Sequence, residues 1–320
     1  MSEQANSSRI CPACGAPSTI PESENLWPAN WVCGACDETL TIAHGFPLLA
    51  PSLDEVDEGF NLDNFRLLAE VEARHFWFRS RNELIRWLIR KYSPGARRAL
   101  EIGCGTGFAL HALRDALPTA AIAGSELHSR GLLTARLRHG SAVELFQMDA
   151  RHGHLTDALD LIGAFDVLEH IPEDQEVLGQ IARMLKPGGI LIATVPQHAW
   201  MWSRADDIAF HQRRYRPGEL AAKARKAGMH TLYTSSFVTL AFPLMMASRI
   251  LDRLRPQDIS LAELCDKEYR ISEAANASLL GLCKIEHHLR RAGLPLPFGG
   301  SQILVAQREL APRLSTVDGR

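Results

Sequence analysis

Residues Leu100-Glu101-Ile102-Gly103-Cys104-Gly105-Thr106-Gly107 decide the fold of this chain. An apolar strand at 99–102 runs into a turn with three glycines, and a helix follows to about residue 117. Glycine lets the backbone adopt positive φ and approach a ligand closely. Enzymes that bind dinucleotides space these glycines as GxGxxG to seat a pyrophosphate, but here Phe108 stands at the position of the third glycine. The spacing GxGxG therefore favours S-adenosylmethionine (SAM), which carries no pyrophosphate.

Short apolar strands alternate with helices around this turn. The predicted strands are residues 99–102, 120–124, 143–147, 159–165, 190–195, 230–235 and 302–306. The predicted helices, besides the one after the turn, are residues 65–92, 129–138, 173–185 and 219–227. Strands and helices that alternate in this way build a parallel, doubly wound α/β sheet.

The remaining segments interrupt this alternation and set the predicted domain boundaries. Residues 237–297 read as helical and irregular, and they form an insertion before the final strand. We predict a zinc ribbon at 1–52, a SAM-binding core at 53–236, the helical insertion at 237–297 as an acceptor lid, the last core strand at 298–312 and a tail at 313–320.

Acidic residues follow successive predicted strands, at the sheet edge where ligands of doubly wound folds bind. Glu126 ends the second strand and can accept both ribose hydroxyls. Asp149, followed by Ala150, ends the third strand and suits the adenine amine, and Asp166 follows the fourth strand. Glu101 stands just before the glycine turn, where it can hold the turn or an ammonium group of the ligand.

These motifs, in this order and spacing, resemble the class I SAM-dependent methyltransferase family over about residues 75–235 and the final strand. The resemblance implies a Rossmann-like, seven-stranded sheet with an antiparallel last strand. It implies SAM contacts from the turn that holds Gly103, Cys104, Gly105 and Gly107, a ribose-binding role for Glu126, an adenine-side role for Asp149 and a place under the methionine moiety for Asp166. Glu126 departs from the family, which more often has Asp. The chain looks most like a broad bacterial group related to quinone and small-molecule methyltransferases.

Four cysteines near the N-terminus form two CxxC pairs. Cys11 and Cys14 are followed, after 18 intervening residues, by Cys33 and Cys36. Four thiolates make a closed tetrahedral shell that suits structural zinc and leaves no open position for catalysis. The stretch from Cys33 to Pro51 resembles a zinc-ribbon family whose members fuse to, or partner with, methyltransferases, with Phe46 in place of the usual Ile.

Methyl transfer from a sulfonium is an in-line displacement, so the protein mainly aligns donor and acceptor. A general base is required only if the acceptor loses a proton, and the candidates are His170 and His211. The segment after the fifth strand is rich in Trp, His, Arg and Tyr, which suits an acceptor pocket. Its candidate substrate residues are Trp200, Arg213, Arg214 and Tyr215.

Composition limits the partners and the location. The 320 residues carry a formal net charge of -2, which gives no overall attraction to nucleic acid, so we expect a small-molecule or lipid-linked acceptor. The N-terminus lacks a secretory h-region, and we expect a cytoplasmic protein. Residues 237–251 are mostly apolar, but the segment is too short to span a bilayer. Such a segment suits peripheral contact with a membrane or binding of a hydrophobic acceptor.

Competing functions remain open at this point. An RNA or protein methyltransferase would use the zinc ribbon to present its substrate. This hypothesis predicts a stripe of basic residues on the ribbon, but the ribbon is poor in Lys and Arg. A non-catalytic SAM-binding module conflicts with the intact motifs, and a nicotinamide dehydrogenase conflicts with the glycine spacing. The sequence leaves open the acceptor, the methylated atom, the use of a base and the oligomeric state.

Overall fold

The structure, a computed structural model, describes residues 7–54, 62–253 and 271–310. Its strands are β1 (Ser8–Ile10), β2 (Pro17–Thr19), β3 (Thr41–Ala43), β4 (Phe46–Leu48), β5 (Arg98–Ile102), β6 (Ala121–Glu126), β7 (Glu144–Gln147), β8 (Leu155–Thr156), β9 (Leu159–Phe165), β10 (Leu185–Pro196), β11 (Met229–Phe237) and β12 (Ser301–Arg308). Its helices are α1 (Leu62–Val71), α2 (Phe76–Tyr92), α3 (Leu110–Ala116), α4 (Ser129–His139), α5 (Asp174–Met184), α6 (Arg204–Ile208), α7 (Glu219–Lys226), α8 (Phe242–Arg253) and α9 (Glu273–Arg291).

The main sheet has the strand order β11-β12-β10-β9-β5-β6-β7-β4-β3. Strands β10, β9, β5, β6 and β7 pair in parallel, and β12 lies antiparallel between β10 and β11. The predicted α/β fold with a parallel-dominated sheet and an antiparallel last strand is confirmed. Two strands from the N-terminal cysteine-rich segment extend the seven predicted strands to nine.

Two local predictions were wrong. The predicted helix at 65–92 divides into α1 and α2, because residues 72–75 break the helix and His75 caps α2 by accepting a hydrogen bond from the Trp77 amide at 3.3 Å. The sequence Lys186-Pro187-Gly188-Gly189 predicts a turn before the strand at 190–195, but these residues are a bulged part of β10, where the pairing with β9 shifts between Leu185 and Ile190.

The cysteine-rich segment is joined to the core by pairing and by buried polar groups. Leu48 of β4 pairs with Gln147 of β7, and β1 pairs with β8. The Glu144 carboxylate accepts hydrogen bonds from the amides of Leu26 and Trp27, whose side chains are buried. Because these contacts make one continuous core, the predicted boundary at residue 52 separates segments that share a sheet.

Between β11 and β12, helices α8 and α9 occupy the predicted insertion, and α9 packs on α2. The side chain of Asn276 accepts from the Phe76 amide at 2.7 Å and donates to the Arg74 carbonyl at 2.9 Å. Residues 254–270 of the predicted insertion, residues 55–61 of the predicted core and the predicted tail 313–320 lie outside the described residues. Among the described helices, none has the length and apolar content needed to cross a bilayer.

Candidate functional site

The glycine turn lies at the carboxyl end of β5, and all three glycines have positive φ: 64° at Gly103, 50° at Gly105 and 75° at Gly107. A Cβ on Gly103 would lie 2.5 Å from a methyl group of Val167, and one on Gly107 would lie 2.8 Å from the Cβ of Ala135. The amide of buried Cys104 donates to the Ser125 carbonyl, which ties the turn to β6. The loop thus combines a backbone conformation and a close packing that only glycine satisfies.

Glu126 lies beside this turn at the end of β6. Its carboxylate accepts from the Gly105 amide at 2.9 Å and from the Leu127 amide at 2.8 Å. Burial raises the pKa of Glu126, and these two hydrogen bonds partly offset that rise. The carboxylate therefore touches the glycine turn directly, as a ribose-binding acid beside a SAM loop would.

Asp149 follows β7 and is buried. Its carboxylate accepts from the backbone amide and Nε of Arg151, at 2.9 and 3.0 Å. Burial alone would raise the pKa of Asp149, but these bonds and the charge of Arg151 outweigh it and lower the pKa. Ala150 beside it is also buried. An ionised Asp149 carboxylate at this edge of the sheet can accept a hydrogen bond from an amine.

Asp166 follows β9 with a φ of 58°, which is uncommon outside glycine. Its carboxylate accepts from Arg81 of α2 at 2.5 Å and from the Thr194 hydroxyl at 3.0 Å. The guanidinium of Arg81 lies 4.7 Å from the centroid of the Trp77 ring, a cation–π distance. Helix α2 thus delivers a positive charge to the sheet edge, close to Asp166.

Two further carboxylates near Arg81 have unsatisfied atoms. Among the described residues, Oε2 of Glu101 and both carboxylate oxygens of Glu169 have no hydrogen-bond partner, although both side chains are buried. Burial raises the pKa of both groups well above the ordinary value, and the neighbouring Asp166 adds to the rise at Glu169. Buried oxygens without partners are costly unless a ligand satisfies them. SAM carries an ammonium and a sulfonium, so the residues fit this cofactor.

His211 and His170 lie together beside Glu169. Nδ1 of His211 lies 2.9 Å from Oδ1 of Asp206, and its Nε2 lies 4.0 Å from Oε1 of Glu169. The two imidazole rings are 4.8 Å apart between centroids. Burial lowers the pKa of His170 to about 3, so that ring is neutral. Glu169, His170 and His211 each place one ligand atom within 4.8 Å of the others, so they could also hold a metal ion.

Asp206 is fully buried, and several groups around His211 donate hydrogen bonds to its carboxylate. It accepts from Arg214 Nε at 2.7 Å and from the Ser203 amide at 2.8 Å, besides His211. Burial alone would raise the pKa of Asp206, but the hydrogen bond from His211 and the charge of Arg214 outweigh it and hold the pKa at about 2. An ionised Asp206 can only accept, so Nδ1 of His211 carries the proton and Nε2 presents a lone pair.

The four predicted substrate residues separate into two groups. Arg213 and Tyr215 both bind the Asp174 carboxylate, at 2.8 and 2.7 Å, and Tyr215 is fully buried, so they tie α5 to the chain after β10. Arg214 is buried and holds Asp206. Trp200 is 54% exposed and lies against the rings of His198 and Phe242.

The cysteine cluster fits zinc. The Sγ atoms of Cys11 and Cys36 are 3.8 Å apart, those of Cys14 and Cys33 are 3.7 Å apart, and all four lie within 4.8 Å of one another. A tetrahedral zinc with Zn–S bonds of about 2.3 Å needs S···S separations of about 3.75 Å. The four predicted ligands are thus brought together in the cysteine-rich segment.

Arg81, Glu169, Asp206 and His198 belong to the site region but were missed as site residues in the sequence. Arg81 is 85 residues away from Asp166, and no pattern in α2 marks its partner. One signal was available: Ser203 and Asp206 form a capping box, a sequence pattern that predicts a helix start and an ordered Asp206.

Comparisons with known proteins identify a methyltransferase domain in this chain. Residues 100–191 match a family model described as "Methyltransferase domain". The chain is 25% identical over 199 residues to a ubiquinone biosynthesis O-methyltransferase of Thiobacillus denitrificans, covering 53% of this chain and 85% of that protein. The protein of the same name from Pseudomonas aeruginosa is 25% identical over 197 residues, covering 53% and 84%. The solved complex of Haemonchus contortus phosphoethanolamine N-methyltransferase 2 with S-adenosyl-L-methionine is similar with a TM-score of 0.47 and 17% identity, covering 72% of this chain and 52% of that one.

Proposed function

We propose that this SAM-dependent methyltransferase methylates a hydroxyl oxygen of a small-molecule acceptor that carries an apolar portion. SAM, when bound, supplies a sulfonium methyl group. Glu101, Asp166 and the turn from Gly103 to Gly107 would hold its methionine part, Glu126 its ribose, and Asp149 with Ala150 its adenine.

The orientation of His211 is the observation that carries the choice of a hydroxyl acceptor. Asp206 holds Nδ1, so the Nε2 lone pair faces Glu169 at the edge where Asp166 lies. A hydroxyl must lose its proton as its oxygen attacks the methyl carbon and the carbon–sulfur bond breaks. Nε2 of His211 would take that proton, and Asp206 would stabilise the resulting imidazolium. His170, neutral at ordinary pH, would pack the ring of His211 in place.

The matched relatives support the same acceptor atom. Those from Thiobacillus denitrificans and Pseudomonas aeruginosa are named O-methyltransferases of ubiquinone biosynthesis. Their acceptor class, an oxygen on a small molecule, agrees with a site that contains an oriented base.

The position of the zinc ribbon disfavours a role in presenting RNA or protein substrates. The candidate base follows β9 and β10, whereas the ribbon adds β4 beyond β7. The other ribbon strand, β1, pairs with β8, which precedes the amino end of β9, whereas Glu169 and His170 follow the carboxyl end of β9. We propose that its zinc is structural.

Helix α8 supports an apolar acceptor. Leu244, Ile250 and Leu251 of this helix are 62%, 49% and 54% exposed. The helix follows, along the chain, the segment that contains the predicted substrate residues Trp200 and Tyr215. We propose a cytoplasmic enzyme whose α8 face contacts either the apolar part of the acceptor or a membrane surface that stores it.

The test is methyl transfer from labelled SAM in a bacterial lysate, followed by separation of lipid, small-molecule, nucleic-acid and protein fractions. Label in the lipid or small-molecule fraction as an alkali-stable methyl ether is the expected result. Gly105→Arg, which blocks the turn, should abolish it. Label in RNA or protein would contradict the proposal.

Once an acceptor is in hand, His211→Gln should lower kcat by about 100-fold or more, because a general base contributes that much. SAM affinity should change less than about two-fold. The matched control is His230→Gln, at an exposed histidine of β11, which should leave kcat unchanged. A His211→Gln enzyme with normal kcat would exclude His211 as the base.

A further inference from the structure

Glu72, directly after α1, is a buried carboxylate that contacts the glycine turn. It is 4% exposed, and its amide donates to the Leu68 carbonyl at 2.9 Å, which attaches it to the last turn of the helix. The Thr106 hydroxyl donates to this carboxylate, at 2.8 and 2.7 Å from its two oxygens. Thr106 stands between Gly105 and Gly107, so Glu72 holds the turn from a position 34 residues away in the chain.

Arg138 of α4 closes this contact into a network. Its Nη1 lies 2.7 Å from a carboxylate oxygen of Glu72 and donates to the Thr106 hydroxyl at 2.9 Å. Its Nη2 donates to the Ala69 carbonyl of α1 at 3.2 Å. A guanidinium can only donate, so the Thr106 oxygen accepts from Arg138 while its own proton goes to Glu72. The three side chains therefore bind α1, the glycine turn and α4 to one another.

Stability alone does not explain this buried ion pair. Burial raises the pKa of Glu72, and the charge of Arg138 and the hydrogen bond from Thr106 oppose that rise. Replacing a buried ion pair with apolar groups of the same volume is often neutral or stabilising, because both charges lose their hydration. We therefore expect the pair to specify one position of α1 on the glycine turn.

Phe65 lies seven residues before Glu72, and this spacing places the two on the same face of α1. The Phe65 ring is buried, and it would lie 3.5 Å from a Cβ on Gly105 and 3.0 Å from a Cβ on Gly131. The Cγ of Glu126 would lie 3.3 Å from the same Cβ on Gly131. Gly105 and Glu126 belong to the residues proposed to hold the methionine part and the ribose of SAM. Helix α1 thus places an aromatic ring at this end of the cofactor site.

The break at residues 72–75 allows α1 to move separately from α2. Helix α2 begins at Phe76, and the Asn276 side chain of α9 holds both the Arg74 carbonyl and the Phe76 amide. A change in the backbone dihedrals of residues 72–74 would therefore move α1 and leave α2 attached to the core.

We propose that Glu72 is a positioning residue for the cofactor: it holds the glycine turn through Thr106 and, with Arg138, holds α1 closed over the ribose end of SAM, where Phe65 forms the inner wall. SAM enters, and S-adenosylhomocysteine leaves, when this network opens and α1 moves away. In this role Glu72 acts through the turn and the helix and takes no part in the transfer itself. The inference rests on the proposed placement of SAM against Gly105 and Glu126, and it goes beyond the proposed acceptor chemistry.

The test is the rate at which labelled S-adenosylhomocysteine leaves the full chain when excess SAM displaces it. Glu72→Gln keeps the shape of the side chain and removes its charge. We expect this variant to release the product about ten-fold faster or more, because a hydrogen bond to a charged group contributes enough for such a factor. The matched control is Glu70→Gln, the same change at an exposed position of α1, which should leave the rate unchanged.

Two further variants separate this role from one in stability. Phe65→Ala should also accelerate release, because it removes the wall and leaves Glu72 in place. Adding Arg138→Gln to Glu72→Gln should accelerate release no further, because the network is already broken. A role in stability alone would lower the melting temperature of Glu72→Gln and leave the release rate of the folded protein unchanged, and that result would overturn the inference.

Hydrogen exchange in the unaltered chain covers the case in which Glu72→Gln does not fold. Binding of S-adenosylhomocysteine should slow the exchange of α1 amides at least about ten-fold more than that of α7 amides, because the bound molecule keeps α1 closed. Helix α7 is a suitable reference because it packs on β11, four strands from β5. Equal protection of the two helices would contradict the inference.

The two proposals fail separately. A chain that methylates RNA, with faster release in Glu72→Gln, would overturn the proposed function and leave the role of Glu72 intact. O-methylation of a small molecule, with an unchanged release rate in folded Glu72→Gln, would overturn the role of Glu72 and leave the proposed function intact.

Discussion

At the scale of residues, the three glycines of the 103–107 turn are needed for different reasons. Gly103 and Gly107 combine positive φ with close packing against Val167 and Ala135. Gly105 has positive φ but more space, since a Cβ there would first meet the Phe65 ring at 3.5 Å. The sequence shows only the conformational part of this requirement, because the packing partners come from the loop after β9 and from α4.

We expect Gly107→Ala to lower the free energy of unfolding by about 3 kcal/mol, from left-handed strain plus contact with the Ala135 backbone. The matched control is Gly218→Ala, whose backbone is left-handed with a φ of 80° and which has nothing within 4 Å of the new Cβ, and it should cost about 1 kcal/mol. Urea unfolding of both variants measures the difference. Equal losses would show that strain alone explains the requirement for Gly107.

At the scale of elements, α9 is attached to α2 through buried polar side chains. His287 is 5% exposed, with Nε2 3.1 Å from the Ser80 carbonyl and Nδ1 3.2 Å from the Arg290 guanidinium. Arg290 can only donate, so Nδ1 accepts, Nε2 carries the proton and the ring is neutral. Burial and then the charge of Arg290 lower the pKa of His287 to about 4.

This contact predicts acid sensitivity. The folded pKa lies below the ordinary 6.5, so the contribution of His287 to stability is complete above pH 6.5 and is lost as the pH falls toward 4. At pH 5 the loss should be about 2 kcal/mol. His287→Gln should remove that part of the pH dependence, measured by urea unfolding at pH 7.5 and 5. His288→Gln, at the exposed neighbour, should retain it, and identical pH profiles for the two variants would contradict this account.

Most elements could be predicted from the sequence, but their partners could not. The strand at 159–165 has the bounds expected from its apolar run, and the glycine turn locates the cofactor edge. In contrast, Asp206–His211 and Arg81–Asp166 depend on how loops and helices meet the sheet edge. The periodicity of α9 indicates a buried face, yet that face contains Glu286, His287 and Arg290, which pair with groups from distant segments.

At the scale of the whole molecule, hydrogen bonds connect the cysteine-rich segment to the glycine turn. The Leu49 amide donates to the Gln147 carbonyl, and the Gln147 side chain donates to the Leu127 carbonyl at 3.0 Å. The Leu127 amide donates in turn to Glu126, which also holds Gly105. The position of Glu126, the proposed ribose-binding residue, therefore depends on hydrogen bonds that begin in the cysteine-rich segment.

Loss of zinc should accordingly weaken SAM binding as well as stability. We expect one zinc per chain, which Cys33→Ser should reduce, with a lower melting temperature and a several-fold larger Kd for SAM. Cys283→Ser, at a buried cysteine outside the cluster, should keep one zinc and the original Kd. Metal analysis and calorimetric titration give both readouts. An unchanged Kd in a zinc-free, folded Cys33→Ser protein would contradict the connection.

The pairing of β1 with β8 and of β4 with β7 has a consequence for synthesis on the ribosome. Ser8 pairs with Thr156 and Leu48 with Gln147, so the cysteine-rich segment must wait for partners about 100 to 150 residues later. At about 5–20 residues per second, that interval lasts roughly 5–30 s. During it, the four cysteines are exposed on a nascent chain whose binding surface does not yet exist. Early metal capture would protect these thiols, and docking would follow only once β7 and β8 had emerged.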